Sequence, residues 1–363
     1  MRVVVVVGTR PEAIKMAPVI LGLRDCGVTT VVITSGQHPG LVSQALRSFD
    51  LEPDVVLPPV LSTGLGERLG ELVWQIARAL SQAAPTLVLV HGDTTTTLAA
   101  ALATHHARVP LGHVEAGLRS GDRASPFPEE DNRRIVDHLA NVCFAPTPRA
   151  QQTLLSEGIP PDRVLVTGNP LVDAVRATAA RVEALPCRHF PELAAHQLDQ
   201  PGPVVLVTAH RRESWGLAMQ RICSIVEQLP ARVLWPVHPS PEVSGPVYQR
   251  LGDAPHVRLC APLSYPAMIR ALLRSELVLT DSGGVQEEGA VLGKPTLVLR
   301  DSTERPEALD SGVVRLVGTR VEDVVAAASM WIRRSPTLVS EGELLGDGRA
   351  GVRIARWIAG AYA

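Results

Sequence analysis

The sequence predicts an α/β protein made of two Rossmann-like domains. Three features carry that expectation. Short β-branched runs alternate with amphipathic stretches, the runs stay apolar throughout, and the alternation falters once and then restarts. A β-α alternation reads as a doubly wound parallel sheet, and unbroken apolar runs suit strands covered on both faces. Residues 3–7 form the first strand, which Gly8 ends. A helical pattern follows through Ala13, Ile14, Ala17, Val19, Ile20 and Leu23. Strands follow at 31–33, 87–90, 111–113 and 142–145, with a helix at 95–106. The pattern breaks between about 174 and 203, where Gly202-Pro203 closes the gap. A second series then runs through 204–207, 233–235, 257–259, 277–280 and 296–299. With a hinge near 168–173, the domains are 1–170 and 171–349. Ligands bind such sheets at the carboxyl ends of the strands, so the residues just after each strand carry the chemical interest.

Composition narrows the function. A length of 363 residues suits two domains of the usual size. Apolar residues make up 45% and charged residues 20%, enough to bury a sizeable core. The net charge of −2 and the 3% aromatic content argue against a nucleic-acid surface and a polybasic membrane patch. Cys26, Cys143, Cys187, Cys223 and Cys260 lie far apart, with no C-x-x-C pair, so reduced thiols in the cytoplasm are expected. The first strand begins almost at Met1, which predicts no signal peptide. Only two lysines occur, Lys15 and Lys294, so a lysine inside a motif is informative.

Four segments of the first domain carry chemistry. Gly8-Thr9-Arg10-Pro11-Glu12-Ala13-Ile14-Lys15 turns from strand to helix, and a helix start favours an anion that Arg10 and Lys15 could help to hold. An ordinary strand–helix turn with two solvated cations fits the same residues. His91-Gly92-Asp93 ends the strand at 87–90 and offers Asp93 as a cleft acid or base, while Thr94–Thr97 can simply cap the next helix. His113-Val114-Glu115 brings Glu115 to the same sheet edge. Pro126-Phe127-Pro128-Glu129-Glu130-Asp131-Asn132-Arg133 then forms an acidic loop-to-helix junction. Carboxylates converging on one cleft suit proton transfer near neutral pH, though helix-start charge complementarity alone would explain part of Glu129–Asp131.

In the second domain, Thr208-Ala209-His210-Arg211 follows the first strand, and His210 could protonate or hydrogen-bond a phosphate. His238, in Val237-His238-Pro239, is a weaker signal. Asp281-Ser282-Gly283-Gly284 opens a helix whose amides can cradle a diphosphate, with Glu288 one turn further in, where a carboxylate can grip ribose hydroxyls. A glycine turn needed only for close helix packing is the alternative. Arg300 and Arg305 follow the last strand. No Walker A loop, dinucleotide fingerprint or clustered His/Cys set appears, so no cofactor and no metal are expected.

Together these segments resemble the non-hydrolysing UDP-N-acetylglucosamine 2-epimerases. The matching stretches are GTRPEAIKMAPV, VHGDTTTTLAA, GHVEAGLRSGD, SPFPEEDNRR, TGNPLVDA, TAHRRES, PVHP, LTDSGGVQEEG, LGKPTLVLRD and TERPEAL, spread over nearly the whole chain in the family's order. The resemblance implies a B-type glycosyltransferase fold, with a cleft between the two domains and a final helix at about 350–363 packing back on the first. It implies an isomerase, cytoplasmic and homodimeric, that interconverts UDP-N-acetylglucosamine and UDP-N-acetylmannosamine. The route is elimination of UDP to 2-acetamidoglucal followed by re-addition. Carried over residue by residue, Asp93, Glu115, Glu129 and His210 are catalytic. Arg10, Lys15, Arg133, His238, Ser282, Gly283, Gly284, Glu288 and Arg305 bind substrate, with UDP mainly on the second domain.

The family's second nucleotide-sugar site includes the loop with Gln37 and His38. Here Pro39-Gly40 stands where many members carry a basic residue and an amide or acid, which predicts weak activation by UDP-N-acetylglucosamine. The acidic motif also continues as Glu287-Glu288-Gly289 rather than ending in alanine. A hydrolysing relative that releases N-acetylmannosamine would share nearly all these motifs. A glycosyltransferase of the same fold would not need several carboxylates around C2 of its donor, and a non-catalytic sensor would not need the acid–base set.

Overall fold

The computed structural model describes all residues except 37–38, 124–125, 212–213, 304, 335–344 and 363. The chain divides into two compact units, Met1–Ala174 with Leu345–Ala363, and Val175–Leu344.

The first unit is built on a seven-stranded sheet. Its strands are β1 (Arg2–Val7), β2 (Thr29–Thr34), β3 (Val55–Val56), β4 (Leu87–His91), β5 (Leu111–Val114), β6 (Val142–Ala145) and β7 (Val164–Val166). They lie in the order β3-β2-β1-β4-β5-β6-β7, and every neighbouring pair is parallel. The helices are α1 (Arg10–Asp25), α2 (Pro39–Arg47), α3 (Leu65–Ala83), α4 (Thr95–His106), α5 (Glu129–Leu139) and α6 (Pro148–Ser156), while α7 (Pro170–Val182) starts in this unit and runs on into the second. Val3–Val7 and Leu87–Val90 are fully or almost fully buried, as runs covered on both faces must be.

The second unit repeats the design with β8 (Val204–Thr208), β9 (Arg232–Pro236), β10 (Val257–Cys260), β11 (Leu277–Thr280), β12 (Thr296–Val298) and β13 (Val314–Leu316). Their order is β10-β9-β8-β11-β12-β13, again parallel throughout. Its helices are α8 (Pro191–Ala194), α9 (Leu217–Glu227), α10 (Pro241–Leu251), α11 (Tyr265–Arg274), α12 (Gly283–Val291), α13 (Pro306–Leu309) and α14 (Val321–Arg333). The strands absent from the sequence reading are β3, β7 and β13, each only two or three residues long.

The last helix, α15 (Ala350–Ala361), belongs to the first unit and packs on α1. Small residues make that crossing close: a Cβ on Gly351 would stand 2.6 Å from the Pro18 carbonyl oxygen, and one on Gly22 3.1 Å from the Ala355 Cβ. The Asp173 carboxylate caps the helix start, accepting from the amides of Ala350 at 3.2 Å and Gly351 at 2.9 Å. Among the described residues no helix is long and apolar enough to cross a membrane.

In each sheet the order reverses between two strands, β1 and β4 in one and β8 and β11 in the other. That reversal is where a doubly wound sheet opens a crevice at its carboxyl edge.

Candidate active site

In the first unit the reversal point is crowded. A Cβ on Gly8 would lie 2.2 Å from Thr96 Oγ1 and 2.7 Å from Ser35 Oγ, so only glycine lets α4 approach the end of β1. The amides of Gly8 and Thr9 donate to Glu12 Oε2 at 2.5 and 2.9 Å. The other oxygen, Oε1, accepts from the Thr94 hydroxyl at 2.5 Å and lies 3.2 Å from that of Thr97, which donates to the His91 carbonyl at 2.7 Å. The anion seat that the sequence offered to a ligand at this turn is therefore met by an internal carboxylate reaching back from the third helical position. Burial pushes the Glu12 carboxyl up, and the donors from Thr94, Gly8 and Thr9 and the nearby His91 oppose it. Arg10, the first residue of α1, is partly exposed.

Lys15 is buried, and its Nζ donates to Glu115 Oε2 at 2.6 Å. Glu115 follows β5 in the left-handed region, with φ of 66°, a conformation that non-glycine residues adopt only when their surroundings hold them there. His91 ends β4 directly beside Val114, and its Nε2 stands 2.6 Å from the same Glu115 oxygen. Neither ring nitrogen of His91 makes a directed hydrogen bond among the described residues.

Asp93 follows Gly92, whose φ of 68° lets the chain turn. The Asp93 carboxylate pairs with Arg133, and its carbonyl accepts from Asn132 Nδ2 at 2.9 Å. Arg133 is itself buried and also donates to Glu130 at 3.2 Å. The three acids at the start of α5 thus separate by role. Glu130 is buried against Arg133 and accepts the Ser120 amide, and Asp131 pairs with Arg123 at the surface. Glu129 opens the helix, partly exposed.

Behind this edge lies a buried charge network. His113 Nδ1 and Asp137 Oδ1 are 2.7 Å apart, and His113 Nε2 lies 2.8 Å from the Gly92 carbonyl oxygen. Arg119 bridges Asp137 at 2.8 Å and Glu157 at 2.5 Å. Burial alone would raise the Asp137 carboxyl; His113 and Arg119 outweigh it and hold the group below the usual aspartate range.

The second unit arranges its reversal point differently. Asp281, fully buried after β11, accepts from the amides of His210 at 2.9 Å and Arg211 at 3.0 Å and from Ser214 Oγ at 2.7 Å. His210 stacks on His238 with ring centroids 5.9 Å apart, and its side chain stays 42% exposed. Burial pushes the His210 ring below the usual histidine range; Asp281 opposes that, and His238 and Arg211 reinforce it. Such a ring is neutral at neutral pH and can accept or relay a proton.

Ser282 precedes α12 without making a side-chain cap, and its own amide donates to Thr280 Oγ1 at 2.9 Å. Helix geometry leaves the amides of Gly283, Gly284 and Val285 without intrahelical acceptors. A Cβ on Gly284 would meet no atom closer than Ser282 Oγ at 4.0 Å, so there is open space beside this residue. Glu288 is buried one turn on, and Arg305 Nε lies 3.2 Å from Glu287. Thr303 braces this arginine's turn, donating to Gln286 at 2.7 Å and accepting the Arg305 amide at 3.1 Å. A cavity of about 600 Å³ beside β12, β13 and α14, lined by Arg300, Asp301, Arg315 and Asp323, holds none of the catalytic or substrate-binding candidates.

The candidates therefore form two sets, one on each sheet. Arg10, Lys15, Asp93, Glu115, Glu129 and Arg133 lie on the first, and His210, His238, Ser282, Gly283, Gly284, Glu288 and Arg305 on the second. Gln37 and His38 lie outside the described residues, and Pro39 opens α2. Sequence reasoning passed over Glu12, His91, Asp137 and Asp281. For Glu12 a signal exists, because Thr9-x-x-Glu12 is a capping-box pattern.

A sequence model of the family described as UDP-N-acetylglucosamine 2-epimerase matches residues 23–359. The UDP-N-acetylglucosamine 2-epimerase of Yersinia pestis is 44% identical over 342 residues, covering 91% of this chain and 90% of the relative. The crystal structure of the Neisseria meningitidis UDP-GlcNAc 2-epimerase bound to UDP-GlcNAc superposes with a TM-score of 0.88 at 36% identity, over 99% of each chain. The Methanocaldococcus jannaschii UDP-GlcNAc 2-epimerase in complex with UDP-GlcNAc and UDP gives a TM-score of 0.85 at 31% identity, over 100% of each chain.

Proposed function

The chain belongs to the UDP-N-acetylglucosamine 2-epimerase family, and from that membership we propose that it interconverts UDP-N-acetylglucosamine and UDP-N-acetylmannosamine without net hydrolysis. The observation that carries the reading is the pair of carboxylates, Glu115 and Asp93, fixed by Lys15 and Arg133 at the ends of adjacent parallel strands. A transferase that merely holds a diphosphate has no use for such a set. C2–H of the sugar is weakly acidic, so its removal needs a carboxylate held against it, and its return needs a second acid.

In the proposed reaction a carboxylate takes the C2 proton while the C1–O bond breaks. UDP leaves with the bonding pair on its β-phosphate oxygen, and 2-acetamidoglucal remains. UDP then adds back to C1 as a proton returns to the opposite face of C2. Asp93, Glu115 and Glu129 form the acid–base set. Arg10, His210 and the amides at the start of α12 stabilise the charge that develops on phosphate, with Glu288 and Arg305 holding UDP. His238 supports His210 by stacking. The reaction is redox-neutral, so the proposal includes no nicotinamide, and the arginines and amides at the diphosphate take the place of a metal ion.

The test is NMR of the purified protein with UDP-N-acetylglucosamine in D₂O. Both epimers should gain deuterium at C2, with UDP-N-acetylmannosamine as the minor partner and no response to EDTA. Absence of C2 exchange overturns the mechanism. Free N-acetylmannosamine as the main product selects the hydrolysing reaction instead.

A further inference from the structure

Glu12 does more than cap its own helix. A capping box satisfies the amide at the helix start, within a few residues of chain. Glu12, 3% exposed, accepts from the amides of Gly8 and Thr9 and from the hydroxyl of Thr94, which lies 82 residues away after a different strand; the Thr97 hydroxyl stands 3.2 Å off but gives its one proton to the His91 carbonyl at 2.7 Å. Its Oε2 holds the turn that leads into Arg10, and its Oε1 holds Thr94, the neighbour of Asp93. Thr94 has a fixed role of its own, because its hydroxyl also accepts the Thr97 amide at 3.2 Å. Asp93 is held from its other side by α5, through Asn132 and Arg133. An ionised carboxylate can accept all three donors, whereas a protonated one would place its own hydrogen against one of them.

We infer that Glu12 is a positioning residue of the proposed reaction, one that ties the turn carrying Arg10 to the turn carrying Asp93 and so keeps the phosphate-side cation and the proton-transfer carboxylate in one geometry. The inference rests on the epimerisation proposed above. Glu12 touches no substrate in this role. It acts by keeping two turns from shifting against each other, and displacements of about an ångström at a reacting group can cost up to about a hundredfold in rate.

Three single variants and one double variant test it, read by turnover, KM, C2 deuterium exchange and UDP affinity from calorimetry. Glu12→Gln keeps the shape and removes the charge. Thr94→Val keeps the shape and removes the hydroxyl, and Thr94→Ser restores that hydroxyl. Glu12→Gln and Thr94→Val should each lower kcat about ten- to a hundredfold, with KM and UDP affinity near wild type. Thr94→Ser should recover most of the loss. The double variant Glu12→Gln/Thr94→Val should be no slower than the slower single, because both remove one link. Wild-type turnover in both Glu12→Gln and Thr94→Val overturns the inference, as do losses that multiply in the double variant or a Thr94→Ser enzyme as slow as Thr94→Val. If Glu12→Gln does not fold, the Thr94 pair decides alone. A wild-type protein that shows no C2 exchange overturns the reaction itself, whereas exchange undiminished in the variants overturns only the role of Glu12.

Discussion

The two sheets share a strand order and commit their first-strand amides in the same way, yet they leave different chemistry at the edge. After β1 the amides of Gly8 and Thr9 go to Glu12, and after β8 the amides of His210 and Arg211 go to Asp281. Each unit thus places a buried carboxylate where a doubly wound sheet could seat an anion. The difference lies one strand further along. Thr94 caps α4 with its side chain, whereas Ser282 makes no such cap and α12 begins with two glycines, of which Gly284 has room for a Cβ. The first edge is closed and its charges are paired with one another, as proton transfer at fixed geometry requires. The second starts a helix whose first amides have no intrahelical acceptor, as binding a diphosphate requires.

If that division is right, the largest effect on turnover comes from the closed edge. Glu115→Gln should cut C2 exchange about 10²–10⁴-fold, the usual cost of losing a general base, with UDP affinity near wild type. Asp93→Asn and Glu129→Gln should do likewise. Normal turnover in all three would leave the first edge with no catalytic part, and the comparison would fail at its root.

The next effect is on stability and belongs to the network behind the same edge. Asp137→Asn removes the carboxylate that faces both His113 and Arg119, leaving Arg119 its bond to Glu157, and breaking a buried ion pair typically costs about 3–5 kcal/mol. The folded Asp137 carboxyl titrates below its unfolded value, so its contribution is complete above the ordinary aspartate value of about 3.9 and is lost as pH falls through the folded value. Denaturation curves of the two proteins should therefore differ most near neutral pH and converge on acidification. A gap that stays constant down to strongly acid pH would mean that the charge is not what matters there.

Binding at the open edge gives a smaller effect with opposite signs in two assays. Gly284→Ala adds a methyl group in the first turn of α12, with no atom of the protein closer than Ser282 Oγ at 4.0 Å. Calorimetry should show UDP affinity falling about ten- to a hundredfold, the range for losing a hydrogen bond to a charged group. Thermal stability should hold or rise slightly, since alanine is favoured over glycine in a helix by up to about 1 kcal/mol. Undiminished UDP affinity would move the diphosphate seat away from α12.

The sequence made these edges legible unequally, for physical reasons. Strands such as 142–145 and 277–280 were readable to the residue because a strand covered on both faces must be apolar throughout. Val55–Val56, Val164–Val166 and Val314–Leu316 lie toward or at the sheet edges and are too short to produce a run. Asp93, Glu115 and Gly283-Gly284 stood out because they directly follow strands. What one sequence does not state is which turns meet. The Thr94–Glu12 bond and the pairing of Asp137 with His113 and Arg119 appear only once the sheet brings distant segments together.

The smallest effect concerns the two lysines, of which the sequence reading gave a role to Lys15 alone. Lys15 reaches the carboxyl edge and holds Glu115. Lys294 precedes β12, at the amino end of that strand, and donates to the carbonyls of Leu273 at 2.6 Å and Ser275 at 3.3 Å, at the close of α11. A cation at a helix carboxyl end is favourable, but burial pulls the Lys294 ammonium below the usual lysine range. Lys294→Met keeps the stem's packing and removes only those two bonds. It should cost about 1 kcal/mol or less of stability and leave turnover and UDP affinity unchanged. Lys15→Met, by contrast, should slow C2 exchange because Glu115 loses its fixed cation. Measuring both variants side by side separates a lysine that serves the reaction from one that closes a helix. Equal losses of turnover in the two would show that the amino end of the second sheet matters to catalysis, and the division between the edges would have to be redrawn.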